Sequence, residues 1–289
     1  MKKQFWARAL CIALVLTCLV ALMGIGFSAF AADDADAQES AVVAKSTAGG
    51  QDEGETKKDL SFFARIIELF SNEAYMDTIW EGLVNTLIIS VFAALLGLLL
   101  GTLIAFVTIA QKSPWLVVPK WICRIFVTIV RGTPMALQLF IMAYVIFAIR
   151  GFPELVTAII AFGLNSSAYI SENIRAGILS VDKGQTEAGR ALGLPSRITM
   201  MKIVIPQAIK NVIPAIGNEL IALIKETSIV SMIGMFDLTM AAKIIGGGNN
   251  MASYIVPMTV VALFYLGIVY LLTFAIKMIE RRLRASDRN

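Results

Sequence analysis

Long apolar runs alternate along this chain with short charged stretches. Five runs lie at about 78–109, 122–149, 153–178, 208–234 and 253–277, each near the roughly 20 residues that a membrane span requires. The second and third are joined by the short turn Arg150-Gly151-Phe152-Pro153. An earlier apolar run, about 9–30, follows Lys2, Lys3 and Arg8 and ends in Ala29-Phe30-Ala31. That small-x-small ending fits a signal-peptidase site, so residues 1–31 read as a signal peptide or an uncleaved signal anchor. Residues 32–77 separate it from the first span as an acidic extracytoplasmic linker. Its first part, 32–60, lacks apolar periodicity and reads as disordered. From about Leu60 to Phe70 an amphipathic pattern predicts a short helix on the membrane surface, with Phe62, Phe63, Ile66, Ile67 and Phe70 facing lipid.

Composition agrees with this pattern. Of the 289 residues, 57% are hydrophobic and 16% charged, and the mean hydropathy is +0.76. A soluble chain of this kind would expose too much apolar surface, so the fold class is an all-α membrane protein. Cys11, Cys18 and Cys123 all lie in apolar segments and form no metal-ligand or disulfide spacing. The absence of histidine excludes His-based metal sites, triads and proton relays, and no catalytic residue or metal site is expected. The chain contains no G-x-x-x-x-G-K-[ST], so it has no P-loop with which to bind ATP.

Charge sets the orientation. Residues 32–77 hold eleven acidic residues against four basic ones. Elsewhere basic residues collect on one side of the spans: Lys112, Lys120 and Arg124; Arg175, Lys183, Arg190, Arg197, Lys202 and Lys210; and the tail Lys277, Arg281, Arg282, Arg284 and Arg288. The opposite loops carry Arg150 and Lys243. By the positive-inside bias the core starts outside, crosses five times and ends inside. The insert at 180–207 and the 281–289 tail are then cytoplasmic. The scattered basic loops are topological and predict no nucleic-acid surface.

The insert is patterned as a helical elbow. Asp182 is a good N-cap, with Gln185 three residues on as in a capping box. A helix is predicted from Lys183 to Leu192, stopped by Gly193 and Pro195, with Ser196 placed to cap a second. Ala188, Gly189 and Ala191 are small enough to let a partner approach the first helix closely, and Glu187 and Arg190 offer charge contacts at its edge. An ordinary interspan loop with some helix is the plainer alternative.

These residues carry a resemblance. Glu187-Ala188, Gly193 and Ile203-x-Ile205-Pro206 resemble the E-A-A-x-x-x-G-x9-I-x-L-P motif of importer permeases of the ATP-binding cassette (ABC) class, with Gly189 in place of the second Ala and Ile205 in place of Leu. Arg131-Gly132-Thr133-Pro134 with Gln138-Leu139 is similar to R-G-T-P-x-x-x-Q-L of the polar amino-acid (histidine/glutamine-type) branch. So are Tyr169–Ile178 leading into Val181–Gln185, and Lys225-Glu226-Thr227-Ser228. The resemblance covers about 80–280. It implies a five-span type I permease domain at 78–280 in the bacterial plasma membrane, working by alternating access. It assigns ATPase coupling to Asp182, Gly184, Gln185, Glu187, Ala188, Gly193 and Pro206. It also implies ABC ATPase subunits that bind ATP and Mg, none of which this chain binds itself. A solute-binding protein outside, a second permease subunit (the same chain or a close paralogue) and an amino-acid substrate complete the expected set.

Ionisable side chains within spans are costly and need a reason. Arg131, Gln138, Asn165, Glu172, Glu226, Thr227 and Ser228 are the candidates for a substrate pathway. Each also admits a structural reading as a helix–helix hydrogen bond or ion pair, such as Arg131 with a carboxylate. A carboxylate at 172 in a watered crevice can meet the ammonium of an amino acid. Asn218 and Glu219 read as further polarity in the fourth run, and Gly97-x-x-x-Gly101 as a place where helices pack closely. The main rival is an ion-coupled secondary amino-acid transporter using Glu172 or Glu226, although no internal repeat with broken spans is evident.

Overall fold

The computed structural model describes residues 62–110, 114–247 and 254–285. The signal segment and residues 32–61 of the acidic linker lie outside the described residues, as do Lys112 and Arg288. The described elements are helical. They are α1 (Phe62–Ser71), α2 (Glu73–Ile109), α3 (Val117–Gly132), α4 (Met135–Ile141), α5 (Glu154–Leu179), α6 (Lys183–Ala191), α7 (Ser196–Thr199), α8 (Ile205–Glu226), α9 (Leu238–Gly247) and α10 (Ile255–Ala285). Two π-helical turns, Met142–Ile146 and Met200–Val204, extend α4 and join α7 to α8. Among the described residues α2, α5 and α10 are each long and apolar enough to cross a membrane. Two broken helix pairs bring the number to five if each pair is one span.

The described residues divide into two compact units, one holding those from 62 to 91 and from 234 to 262, the other those from 92 to 233 and from 263 to 285. The first is organised around the entry to α9. Gly234 turns the chain at φ +86°, a left-handed conformation that a side chain disfavours. The buried Asp237 then accepts from the backbone N–H groups of Thr239 at 3.0 Å and Met240 at 2.8 Å, capping α9. Asn85 donates to the Phe236 carbonyl at 3.1 Å, and Thr86 Oγ1 accepts from Leu238 N at 3.1 Å. A Cβ on Gly82 would stand 2.7 Å from the Asp237 carbonyl oxygen, so the absence of a side chain there permits the contact. α2 itself starts at Glu73, ahead of the expected 78, because Asn72 Oδ1 accepts from Ala74 N and Tyr75 N and caps it.

In the second unit α5 is the most enclosed span. Of its most apolar window 61% is buried, against 28% for α2 and 22% for α10. Gly97 and Gly101 bring α2 against it: a Cβ on Gly97 would lie 2.9 Å from Ser166 Cβ, and one on Gly101 2.7 Å from the Ser167 carbonyl oxygen. The G-x-x-x-G thus seats on small residues of α5, as small residues do where membrane helices approach closely. α8 packs on the same helix, with Val212 filling the space above Gly177.

The second apolar run is not one helix. It breaks between α3 and α4, which with its π turn lies at 110° to α3. Pro134 has no N–H to continue the ladder and pushes the residue before it out of the helical region. Thr133 accordingly sits at φ −122°, ψ 147°. The fourth run also departs from expectation. α8 ends at Glu226, and Thr227–Ile233 continue as a tighter 3-10 turn.

The packing generates a paired prediction. Gly101→Ala forces a backbone shift against α5 and lowers the apparent melting temperature of the detergent-solubilised chain. Gly267→Ala, where a Cβ meets nothing within 4 Å, leaves it unchanged. Equal melting temperatures in a thermal-shift assay would contradict the close contact.

Candidate functional site: a polar cluster on the α5 face and the α6–α7 elbow

Asn165, Tyr169 and Glu172 recur at i, i+4 and i+7 on α5 and therefore share one face. The break after α3 brings Arg131 to that face. Its guanidinium lies over the Tyr169 ring, 5.3 Å from the centroid, a favourable cation–π placement. One nitrogen stands 3.7 Å from Glu172 Oε2. Arg175, a turn further along α5, holds the same carboxylate with Nε at 3.1 Å from both oxygens and Nη2 at 2.7 Å. Glu172 is therefore shared by two guanidinium groups, and the cluster stays open: side-chain exposure is 43% for Arg131, 27% for Glu172 and 46% for Arg175. Exposed charge in a membrane-spanning region faces a watered path or another subunit and does not face lipid.

α8 contributes the opposite acidity. Glu219 lies within electrostatic reach of Arg131 and Glu226, with its carboxylate toward the hydroxyl of Ser166. That hydroxyl is buried and lacks a well-formed hydrogen bond. Glu219 was read from sequence only as span polarity. Its spacing of i, i+7 from Glu226 is the signal that both share a face of α8. Tyr169 was likewise read only as part of a motif, and its ring face becomes meaningful once Arg131 stands over it.

The remaining pathway candidates are engaged in local bonding. Gln138 and Asn165 bond each other at 3.0 Å. Thr227 is fully buried and donates to the Ile224 carbonyl, and Ser228 donates to the Lys225 carbonyl.

The insert folds as an elbow. Asp182 accepts from Gly184 N at 2.7 Å and caps α6. Gln185 Oε1 accepts from Gln207 Nε2 at 3.3 Å, linking α6 to the start of α8. At the other end Gly193 N bonds the Arg190 carbonyl and Leu194 N the Gly189 carbonyl, with Gly193 at φ +78°: a Schellman stop. α7 starts at Ser196 with Pro195 in the N-cap position, so the cap expected of Ser196 is not formed. Ile205 N bonds the Met200 carbonyl five residues back. This π turn leads into α8, whose second residue is Pro206, which has no N–H to donate.

One reading of the small residues is corrected. Gly189 is buried, and a Cβ there would lie 2.8 Å from Thr199 Cγ2 and 3.2 Å from Ile203 Cδ1. Its missing side chain lets α6 close on α7 and the π turn that follows, and does not receive a partner. The outward face is Glu187, Ala188, Arg190, Ala191 and Leu192. Leu192 is 80% exposed, an apolar tip beside two opposite charges.

Comparison with known proteins identifies the arrangement. Residues 97–285 match the family described as binding-protein-dependent transport system inner membrane component. The chain belongs to this family. Its members are the membrane permease subunits of ABC importers, which translocate solute while a separate ATPase hydrolyses ATP. The arginine transport system permease protein of Bacillus subtilis (strain 168) is 41% identical over 211 residues, covering 72% of this chain and 94% of that protein. The L-cystine transport system permease protein of the same organism is 36% identical over 206 residues, 70% of this chain and 85% of that one. Among solved structures, an amino acid ABC transporter crystallised with histidines matches with TM-score 0.68 and 34% identity over 78% of this chain and 99% of that chain. The MetNI methionine ABC transporter in an inward-facing form shares the fold at TM-score 0.60 and 20% identity, over 73% of this chain and 99% of that one. This permease chain is thus a multi-pass membrane protein.

Gly189→Val tests the elbow. The added branches wedge α6 from α7, and limited trypsin digestion of the detergent-solubilised chain cuts faster at Arg190 and Arg197. An unchanged digestion pattern would show that the two helices do not depend on that contact.

Proposed function

We propose that this permease carries polar amino acids inward across the bacterial plasma membrane, driven by a separate ATPase that docks on the α6–α7 elbow. The observation carrying this reading is the juxtaposition of an open guanidinium, Arg131, with the carboxylates Glu172 and Glu219, the latter within electrostatic reach of Glu226. A free amino acid presents one carboxylate and one ammonium, and the cluster offers a partner for each. Arg131 meets the substrate carboxylate, with the Tyr169 ring behind it. Glu172 and Glu226 meet the ammonium. The relatives named for arginine and L-cystine and the structure holding histidines support a polar amino acid.

The coupling residues Asp182, Gly184, Gln185, Gly193 and Pro206 shape the elbow, while Glu187, Ala188 and Leu192 form the face presented to the ATPase. Binding that differs between ATP-bound and ATP-free states biases the spans between inward and outward access. In this reading the elbow and the C-terminus are cytoplasmic, in accord with the positive-inside bias. A second permease subunit, two ATPase subunits holding ATP and Mg, and a solute-binding protein outside complete the machine.

Two outcomes test the reading. Purified from its native membrane in mild detergent, the chain brings with it a stoichiometric P-loop ATPase, which Glu187→Arg combined with Leu192→Asp removes. Recovery of the chain alone, together with uptake in energised vesicles depleted of ATP, would instead favour ion coupling. In proteoliposomes of the wild-type complex, labelled L-arginine, L-histidine or L-cystine accumulates with ATP. Glu172→Gln lowers that uptake by about tenfold or more with assembly intact, the scale of one lost charged hydrogen bond. Wild-type uptake by that variant would remove Glu172 from the substrate's path.

A further inference from the structure

The break between α3 and α4 leaves a backbone carbonyl without its helical donor, and a side chain closes it. In an unbroken helix the Val130 carbonyl would accept the N–H of residue 134, but residue 134 is proline. Gln138 Nε2 stands in, donating to Val130 O at 2.7 Å and also reaching Thr133 Oγ1 at 2.7 Å and Thr133 O at 3.2 Å. The Thr133 hydroxyl donates to the neighbouring Ile129 carbonyl at 2.9 Å. Both hydrogens of the Gln138 amide are committed at the break. Its oxygen accepts from Asn165 Nδ2 at 3.0 Å, and Asn165 is only 5% exposed.

This amide pair is the first of three rungs on one face of α5. Asn165 takes Gln138, the Tyr169 ring takes the Arg131 guanidinium, and Glu172 takes one of its nitrogens. Arg131 is in the last turn of α3, immediately before the break. Its reach along α5 therefore depends on how the break is held.

We propose that Gln138 and Asn165 are positioning residues: they lock the α3–α4 break in one register on α5 and so set where Arg131 meets the substrate. The proposal rests on the amino-acid permease reading for the role of Arg131. Gln138 and Asn165 themselves do not touch the cargo. Gln138→Met keeps the side-chain length and removes the amide. Asn165→Leu does the same from the α5 side.

The test is epistasis in the reconstituted complex. Gln138→Met raises the half-saturating L-arginine concentration by about tenfold, the scale of one lost charged contact. Arg131→Met does so at least as strongly, and the double variant is no worse than Arg131→Met alone, because Gln138 acts only through Arg131. Losses that multiply would mean that Gln138 meets the substrate directly, and an unchanged single variant would mean that the clamp has no role; either overturns the proposal. Should Gln138→Met fail to assemble, Asn165→Leu carries the same comparison.

A second readout needs no substrate. Nitroxides at Trp121→Cys and Ile146→Cys, with the native cysteines replaced by serine, report the bend through the distance between them. That distance is narrowly distributed in wild type and broadened or shifted in Gln138→Met. An identical distribution overturns the clamp. If the wild-type complex accumulates none of the three labelled amino acids, the amino-acid reading fails, and the distance measurement still decides whether the clamp exists.

Discussion

A helix that breaks inside a bilayer must find new partners for the carbonyls it uncovers, because no lipid atom can donate a hydrogen bond. This constraint governs the region around Pro134. An unmatched carbonyl at that depth costs several kcal/mol, comparable to a sizeable part of a domain's net stability. The segment therefore carries its own repair, the Gln138 amide, within a few residues of the proline that makes it necessary. The turn there is 110°, and Arg131, just before it, stands beside Tyr169 and Glu172.

The same economy appears in the α6–α7 elbow. α6 and α7 together are too short to be stable alone. They persist because Gly189 lets them touch, Gly193 supplies the stop, and the bridge from Gln185 to Gln207 ties α6 to the base of α8. What the elbow leaves on its outer surface is a small apolar tip flanked by Glu187 and Arg190. Such a face suits a shallow groove on a partner, and its rigid connection into α8 gives any motion there a route toward Glu219 and Glu226. The elbow and the acidic face of α8 thus lie on one continuous stretch of chain.

Much of this was legible in the sequence. Apolar run length located the spans, because bilayer thickness sets how much apolar chain a crossing needs. The cap at Asp182 and the stop at Gly193 were local signals, and both occur as expected. Glycine at 189 was legible as small but not as inward-facing. A missing side chain admits a foreign surface or the protein's own with equal ease, and only the position of Thr199 distinguishes them. Gln138 and Asn165 were similarly ambiguous. An amide within a span signals a hydrogen bond, but its partner lies on another helix.

By itself, then, the sequence determined that the chain is a helical membrane protein, which residues are polar within its spans, and which local signals start and end the elbow. These follow from interactions within a few residues or with the solvent. Tertiary structure alone decided that the second apolar run folds back at Pro134, that Arg131 and Glu172 share a site with Glu219, and that Gln138 serves the backbone. Those outcomes depend on contacts between residues far apart in the chain. Their partners are chosen by helix packing around α5, which no local pattern encodes.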